Sequence, residues 1–289
     1  MNHIWLGRYT KFLVFVTFLL VIAGGLVTST KSGLSVPDWP LSYGTLTPPM
    51  VGGIRYEHTH RIIASFVGLM TLVLTIWLLI SEKKRWIRWA GIAALGLVVT
   101  QGILGGLTVL YLLPAWISIL HACLAQTFFA WMVGFSFLIS CEYSDEAKSN
   151  SPSDTTRLKR LAYLTAGFIY MQLILGATLR HTGNRFVVIS HVVGAFLVLI
   201  HAGLVMKRAF QEHAGEKEIV QPALILGLLT LIQLSLGMGA FVYQVMLGPT
   251  DTPTAGRIFF ITSHQSIGAL LLAASVFLIL SIRRNEWAR

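Results

Sequence analysis

Charge is what this 289-residue sequence has least of. Asp, Glu, Lys and Arg make up 12% of it, about half the roughly 25% of an ordinary soluble domain. That scarcity argues against a soluble globular enzyme. Disorder is excluded by the matching excess. Hydrophobic residues reach 55% and mean hydropathy is +0.71, so too much apolar surface seeks burial. Cysteine is almost absent as well. Cys123 and Cys141 lie 18 positions apart on one expected helix, about 27 Å at the helical rise. A disulfide needs Cα atoms within ~7 Å. These two cannot pair with each other, and both read as small apolar packing residues.

What is present are long charge-free runs. Residues 12–30, 62–81, 161–179, 186–206, 219–250 and 258–282 are six of them. Residues 89–141 form a seventh, with 53 positions free of Asp, Glu, Lys and Arg. That is enough for two spans of ~20 residues each, with Pro114 as the natural break. Helices are expected, because unpaired backbone groups are too costly in hydrocarbon. The fold class is therefore all-α, a polytopic membrane protein of eight transmembrane helices.

The scarce charges fix an orientation. With both termini inside, 16 Lys and Arg fall on inner segments and six on outer ones, as the positive-inside rule requires. The same bias explains the formal net charge of +10 without nucleic acid. The N-terminus resembles a signal peptide, with Arg8 and Lys11 before an apolar stretch. The apolar run is longer than a typical signal, so it is read as a retained helix.

Two connections are long. Residues 142–160 are polar and read as a flexible inner linker. Residues 29–56 face outward and contain Pro37-Asp38-Trp39-Pro40 and Pro48-Pro49, which suggests a folded cap on the membrane surface. The linker divides the chain into residues 1–141 and 161–289. These halves resemble a repeat of two four-helix bundles. Gln101-Gly-Ile-Leu-Gly105 with Tyr111 is echoed by Gln233-Leu-Ser-Leu-Gly237 with Tyr243. The run from Ala23 to Thr30 is echoed loosely by the run from Leu175 to Thr182.

Histidine carries the chemical signal. Of nine, His60, His121, His191 and His264 each fall within about the first two turns of an even-numbered helix. All four therefore sit at one depth on the outer side, two per half. Two imidazoles on facing helices can clamp a haem iron from both sides. A zinc site is less natural, as no thiolate accompanies either pair. A proton relay stays open. His201, about 15 Å deeper than His191, is read as structural.

Glu57 precedes His60 by three residues and shares its helix face. It is the expected acid for moving protons beside a ligand on His60, and it also suits the helix N-terminus. His58 is off that face and is expected at the surface. The second half has Val188 in the corresponding place, so the halves differ. The first looks equipped for a reaction, the second for holding a cofactor. Arg61, Arg180, Arg185 and Arg257 are the outer cations available to pair with haem propionates.

With these residues in place, the chain resembles the haem A synthase family. The carrying stretches are Gly24 to Leu34, Pro37-Asp38-Trp39-Pro40 to Gly44, and Glu57-His58-Thr59-His60-Arg61. Further on come Gln101 to Val109, His121, Leu175 to Gly183, His191, and His264-Gln265 with Gly268-Ala269. The resemblance implies oxidation of a ring methyl of haem O to a formyl group by successive hydroxylations, to feed cytochrome c oxidase. It implies haem O between His60 and His121, haem B between His191 and His264, and Glu57 as the functional acid. It also implies a lipid environment, and haem O synthase and oxidase assembly factors as partners. The short N-terminus lacks an Arg- and Ser-rich transit segment, which favours a cell inner (plasma) membrane over a mitochondrial one. Many bacterial relatives carry two cysteines in the first outer loop, where this chain has Val36 and Ser42. A loop disulfide that carries electrons is therefore excluded here. The short link 180–186 offers no second cap. Two other readings stand beside this one: a di-haem electron carrier without synthase activity, and a transporter or assembly factor.

Overall fold

The computed structural model describes residues 3–142, 154–248 and 250–287. Among the described residues there are eight long helices and no strand. The first four are α1 (His3–Ser29), α2 (Ile54–Ser81), α3 (Arg85–Leu110) and α4 (Ala115–Glu142). The second four are α5 (Thr156–Thr182), α6 (Arg185–Glu212), α7 (Lys217–Phe241) and α8 (Ala255–Trp287). All eight are long and apolar enough to cross a membrane. The shortest, α7, has 25 residues, about 38 Å of helix against a ~30 Å hydrocarbon core. The chain is an all-α, eight-span membrane protein.

The helices outrun the charge-free segments that announce them. α2 starts at Ile54 rather than at 62 and takes in Glu57, His60 and Arg61. Charged side chains near a helix end can reach polar surroundings while the backbone stays helical. The opposite happens in α7. Its regular hydrogen bonding stops at Phe241, and a π-helical turn, Val242–Met246, replaces the rest of the expected span. Residues 143–153 of the expected linker lie outside the described residues, and 156–160 belong to α5.

In each half the four helices close a ring of neighbours. α1 and α3 both pack on α2 and α4, and α5 and α7 both pack on α6 and α8. The rings meet where α8 lies against α1 and α4, and where α4 meets α5. Leu13, Leu74, Leu78, Ile87 and Met132 fill the first core. Phe129, Val205, Ile219, Leu226 and Leu278 belong to the second. In lipid, helices are held by close packing rather than by expulsion from water. Gly91 shows how: a Cβ there would stand 2.7 Å from Leu78 Cδ1. The bare backbone lets Thr75 Oγ1 donate to the Gly91 carbonyl at 3.0 Å. At the seam, Gly134 of α4 lies against Val276 and Leu280 of α8.

The α1–α2 connection marks one face of the molecule, the loop face. Asp38 accepts from the Tyr43 and Gly44 amides at 2.7 and 2.8 Å. These bonds hold a tight turn in which Tyr43 takes φ 54°, a conformation unusual for a residue with a side chain. Both N–H groups favour the charged form, so the Asp38 carboxyl sits below the usual carboxylate range. Tyr43 Oη donates to the Ser35 carbonyl at 2.7 Å.

Candidate functional site

The four histidines lie near the loop-face ends of α2, α4, α6 and α8. Each imidazole rests against a glycine of the preceding helix. A Cβ on Gly24 would be 3.2 Å from His60 Nε2. On Gly105 it would be 3.1 Å from His121 Cε1, on Gly176 3.1 Å from His191 Cε1, and on Gly237 3.0 Å from His264 Cε1. A Cβ at any of these positions would press on the ring and require it to shift by a few tenths of an ångström. The sequence reading found the histidines but not these seats. Their signal is present: Gln stands four residues before the glycine in α3 (Gln101), α5 (Gln172) and α7 (Gln233). In α1 that position is Leu20.

The glutamines face the histidines across the helix pair. The Gln233 carbonyl lies 3.1 Å from His264 Nδ1, so the ring donates there and keeps Nε2 free. That is the usual second contact of a metal-ligating imidazole. The backbones of Gln101 and Gln172 approach His121 and His191 in the corresponding way, although neither Nδ1 closes a hydrogen bond. Gln101 Nε2 donates to the His121 carbonyl at 3.0 Å. Gln172 keeps both amide atoms buried without a partner, and Gln101 and Gln233 keep Oε1 so.

In the second half the His191 and His264 rings are 6.2 Å apart between centroids and stand at 85°. With a metal–nitrogen bond of about 2 Å on each side and a ring half-width of about 1 Å, two imidazoles flanking one iron stand roughly 6 Å apart. The pair fits an iron held between them. His60 and His121 lie within electrostatic range of each other in the first half. Among the described residues, no group of three or more His, Cys, Asp or Glu forms a metal cage. The residues thus suit an iron that brings its own equatorial ligands, and the glycine cradles and unpartnered amides suit a flat bound group.

Glu57 is buried at 3% exposure. Its Oε2 accepts from the Val36 amide at 2.9 Å, and its Oε1 accepts from Arg61 at 2.6 Å. His58, expected at the surface, is buried instead, and its Nδ1 lies 2.8 Å from Ser42 Oγ. The reason is the loop, which folds back over the first turns of α2 and covers that side. Helix periodicity alone could not show this.

The four arginines separate by what their donors do. Arg61 donates to the Val36, Asp38 and Leu41 carbonyls as well as to Glu57. Arg257 donates to the Tyr243 and Gly248 carbonyls and to Gln244 Oε1. Both hold loop backbone. Arg180 donates to Ser29 Oγ at 3.0 Å, and its Nε is buried without a partner. The side chain of Arg185 lies outside the described residues. His201, read as structural, has Nδ1 2.8 Å from the Leu197 carbonyl and its ring 4.6 Å from Phe168.

Comparison with known proteins adds a family to this geometry. The family model for cytochrome oxidase assembly protein (COX15-CtaA) matches residues 7–52 and 54–188. A protein named heme A synthase from Exiguobacterium sibiricum is 28% identical over 185 residues, covering 63% of this chain and 61% of the relative. One from Bacillus pumilus is 25% identical over 81% of this chain and 84% of its own. One from Halalkalibacterium halodurans is 23% identical over 93% and 94%.

Proposed function

The chain belongs to the cytochrome oxidase assembly protein family COX15-CtaA, and from that premise we infer that it is a haem A synthase. It oxidises a ring methyl of haem O to a formyl group by successive hydroxylations, removing four electrons in total. The observation that carries this reading is the pairing of like ligands with unlike surroundings. Both halves present two histidines on glycine seats, and among the described residues only the first places a buried carboxylate, Glu57, one turn from a glycine-seated histidine.

In this reading His60 and His121 flank the iron of haem O in the first half. His191 and His264 hold haem B in the second. Haem B, when bound, would supply one-electron redox chemistry. The protein's own part is to bind, orient and move protons. The Gln233 carbonyl fixes the His264 tautomer so that Nε2 would be the atom available to hold the iron. Glu57 Oε1 and Oε2 stand ready to take a proton from the reacting side. The Val36 amide and Arg61 hold the carboxylate in place while it does so. Arg180, with Nε free of protein partners, is the strongest propionate partner, and Arg61, Arg185 and Arg257 are the remaining candidates. The setting is a cell inner (plasma) membrane with both termini cytoplasmic. Haem O synthase and oxidase assembly factors are the expected partners, and nucleic acid is not.

The test is expression beside a haem O producer, followed by haem extraction and identification. Haem A should appear. Haem B with unchanged haem O, from folded and loaded protein, would indicate the di-haem carrier. Recovery of no haem would favour a transporter. His191→Ala should deplete haem B. Glu57→Gln should keep both haems bound while haem A falls, because an amide still accepts from Val36 but cannot take a proton.

A further inference from the structure

The loop-face connection touches both walls of the first histidine pair. On the α2 side, segment 36–42 is gripped by consecutive turns of helix. Glu57 holds the Val36 amide, His58 meets Ser42, and Arg61 reaches the carbonyls of Val36, Asp38 and Leu41. Val36 is fully buried and Ser42 nearly so. On the α3 side, the indole of Trp39 lies flat on Gly106. A Cβ there would stand 2.7 Å from Trp39 Cδ2 and 2.8 Å from Cε2. Nearer the α3–α4 turn, Gly33 faces the Leu113 side chain, and a Cβ there would stand 3.5 Å from Leu113 Cδ1.

The two ends of this chain of contacts are telling. Arg61 follows His60 directly, and Gly106 follows Gly105, the seat of the His121 ring. A planar guanidinium with several donors can bind three carbonyls and a carboxylate in one geometry. It therefore fixes the path of segment 36–42, and through it the position of Trp39. The Trp39 indole in turn limits how closely, and in what register, the end of α3 approaches α2. Among the described residues, nothing comparable spans the second pair. There Arg257 holds its own π-helical turn and the start of its own loop.

We propose that segment 36–42 is a strap that sets the spacing of His60 and His121, with Arg61 and Trp39 as its positioning residues. The proposal rests on the reading that this pair takes haem O. It deepens that reading by assigning how the two ligands are held apart for a substrate that must arrive and leave. Trp39 acts through Gly106 and Gly105 on His121, and Arg61 acts through the loop.

Two measurements on the full-length protein test it. The first is haem O titration of protein already loaded in the second half, followed by absorption and electron paramagnetic resonance of the low-spin iron. Trp39→Ala, Gly106→Ala and Arg61→Lys should weaken haem O binding about 10- to 100-fold, the usual range for losing an outer partner of a metal ligand. Second-half haem B, as an internal standard of folding, should be unchanged. Trp39→Phe keeps a flat ring on Gly106 and should recover most of the affinity. The second measurement is hydrogen–deuterium exchange of protein without added haem O. Trp39→Ala should speed exchange at the loop-face ends of α3 and α4 as well as in the loop. Faster exchange confined to residues 32–53 would overturn the strap, as would wild-type affinity in both Trp39→Ala and Gly106→Ala. If His60→Ala and His121→Ala leave haem O binding untouched, the substrate site is misplaced. The exchange result then still decides whether the strap spans α2 and α3.

Discussion

Gly237 shows how much a hydrogen atom in place of a side chain can decide. A Cβ would stand 3.0 Å from His264 Cε1, and the ring cannot retreat without leaving the Gln233 carbonyl. Gly237→Val should therefore displace His264 and empty the second half of haem B, at a folding cost of about 1–3 kcal/mol. Haem extracted per mole of protein measures it, and a normal haem B content would refute the seat. The histidines themselves were legible in the sequence, because a costly polar residue at one depth in four helices has few explanations. The burial of His58 was not. It depends on a loop 16 residues away along the chain, and periodicity within α2 carries no trace of that contact.

At the scale of the element, the loop between α1 and α2 is held by polar bonds as well as by packing. The Asp38 carboxylate anchors the turn at Tyr43 and Gly44. Its folded value lies below the unfolded one, near about 3.9. Its contribution is therefore complete above that pH, and is lost as the pH falls through the lower folded value. Hydrogen exchange at Tyr43 and Gly44, corrected for intrinsic rates, should stay slow at about pH 4 and quicken only in stronger acid. Asp38→Asn should remove that dependence. A sequence rich in Pro, Asp and Trp suggested a folded cap, and its existence is all that composition could give. Most of its anchor points are backbone amides and carbonyls, which every residue has, so no pattern of side chains betrays them. The end of α7 was hidden for a related reason. Residues 242–246 are apolar enough to continue a span, and only the backbone shift to π geometry shows that the regular helix has stopped.

At the scale of the whole molecule, the two halves are joined at the loop face through one hydroxyl. Ser29 Oγ on α1 accepts from Arg180 on α5 and from Thr262 on α8, at 3.0 and 2.9 Å. Ser29→Ala leaves two buried donors unsatisfied and should cost about 1–3 kcal/mol, read as a lower Tm of the detergent-solubilised protein. Dithiothreitol should leave Tm unchanged, since Cys123 and Cys141 stand 18 positions apart on α4, too far to pair with each other; a marked drop would mean that a disulfide supports the fold. Eight spans were legible from charge alone, because charge cannot hide in hydrocarbon. Which helices touch was not legible, since lipid-facing and partner-facing residues are equally apolar. Exposed Ile80 at 80% and buried Leu78 at 0% look alike in sequence.

One unmatched position has a wider consequence. Three odd-numbered helices place a glutamine beside the ring they support, and α1 places Leu20 there, packed on the apolar core of its half. The ring concerned is His60, the one whose Nε2 rather than Cε1 comes nearest to its glycine. If the halves descend from one ancestral unit, a resident became a visitor's berth partly by losing an amide. Leu20→Gln would then run that divergence backward. The variant should keep its haem more tightly in the first half and turn over more slowly, two changes that separate a holder from a catalyst.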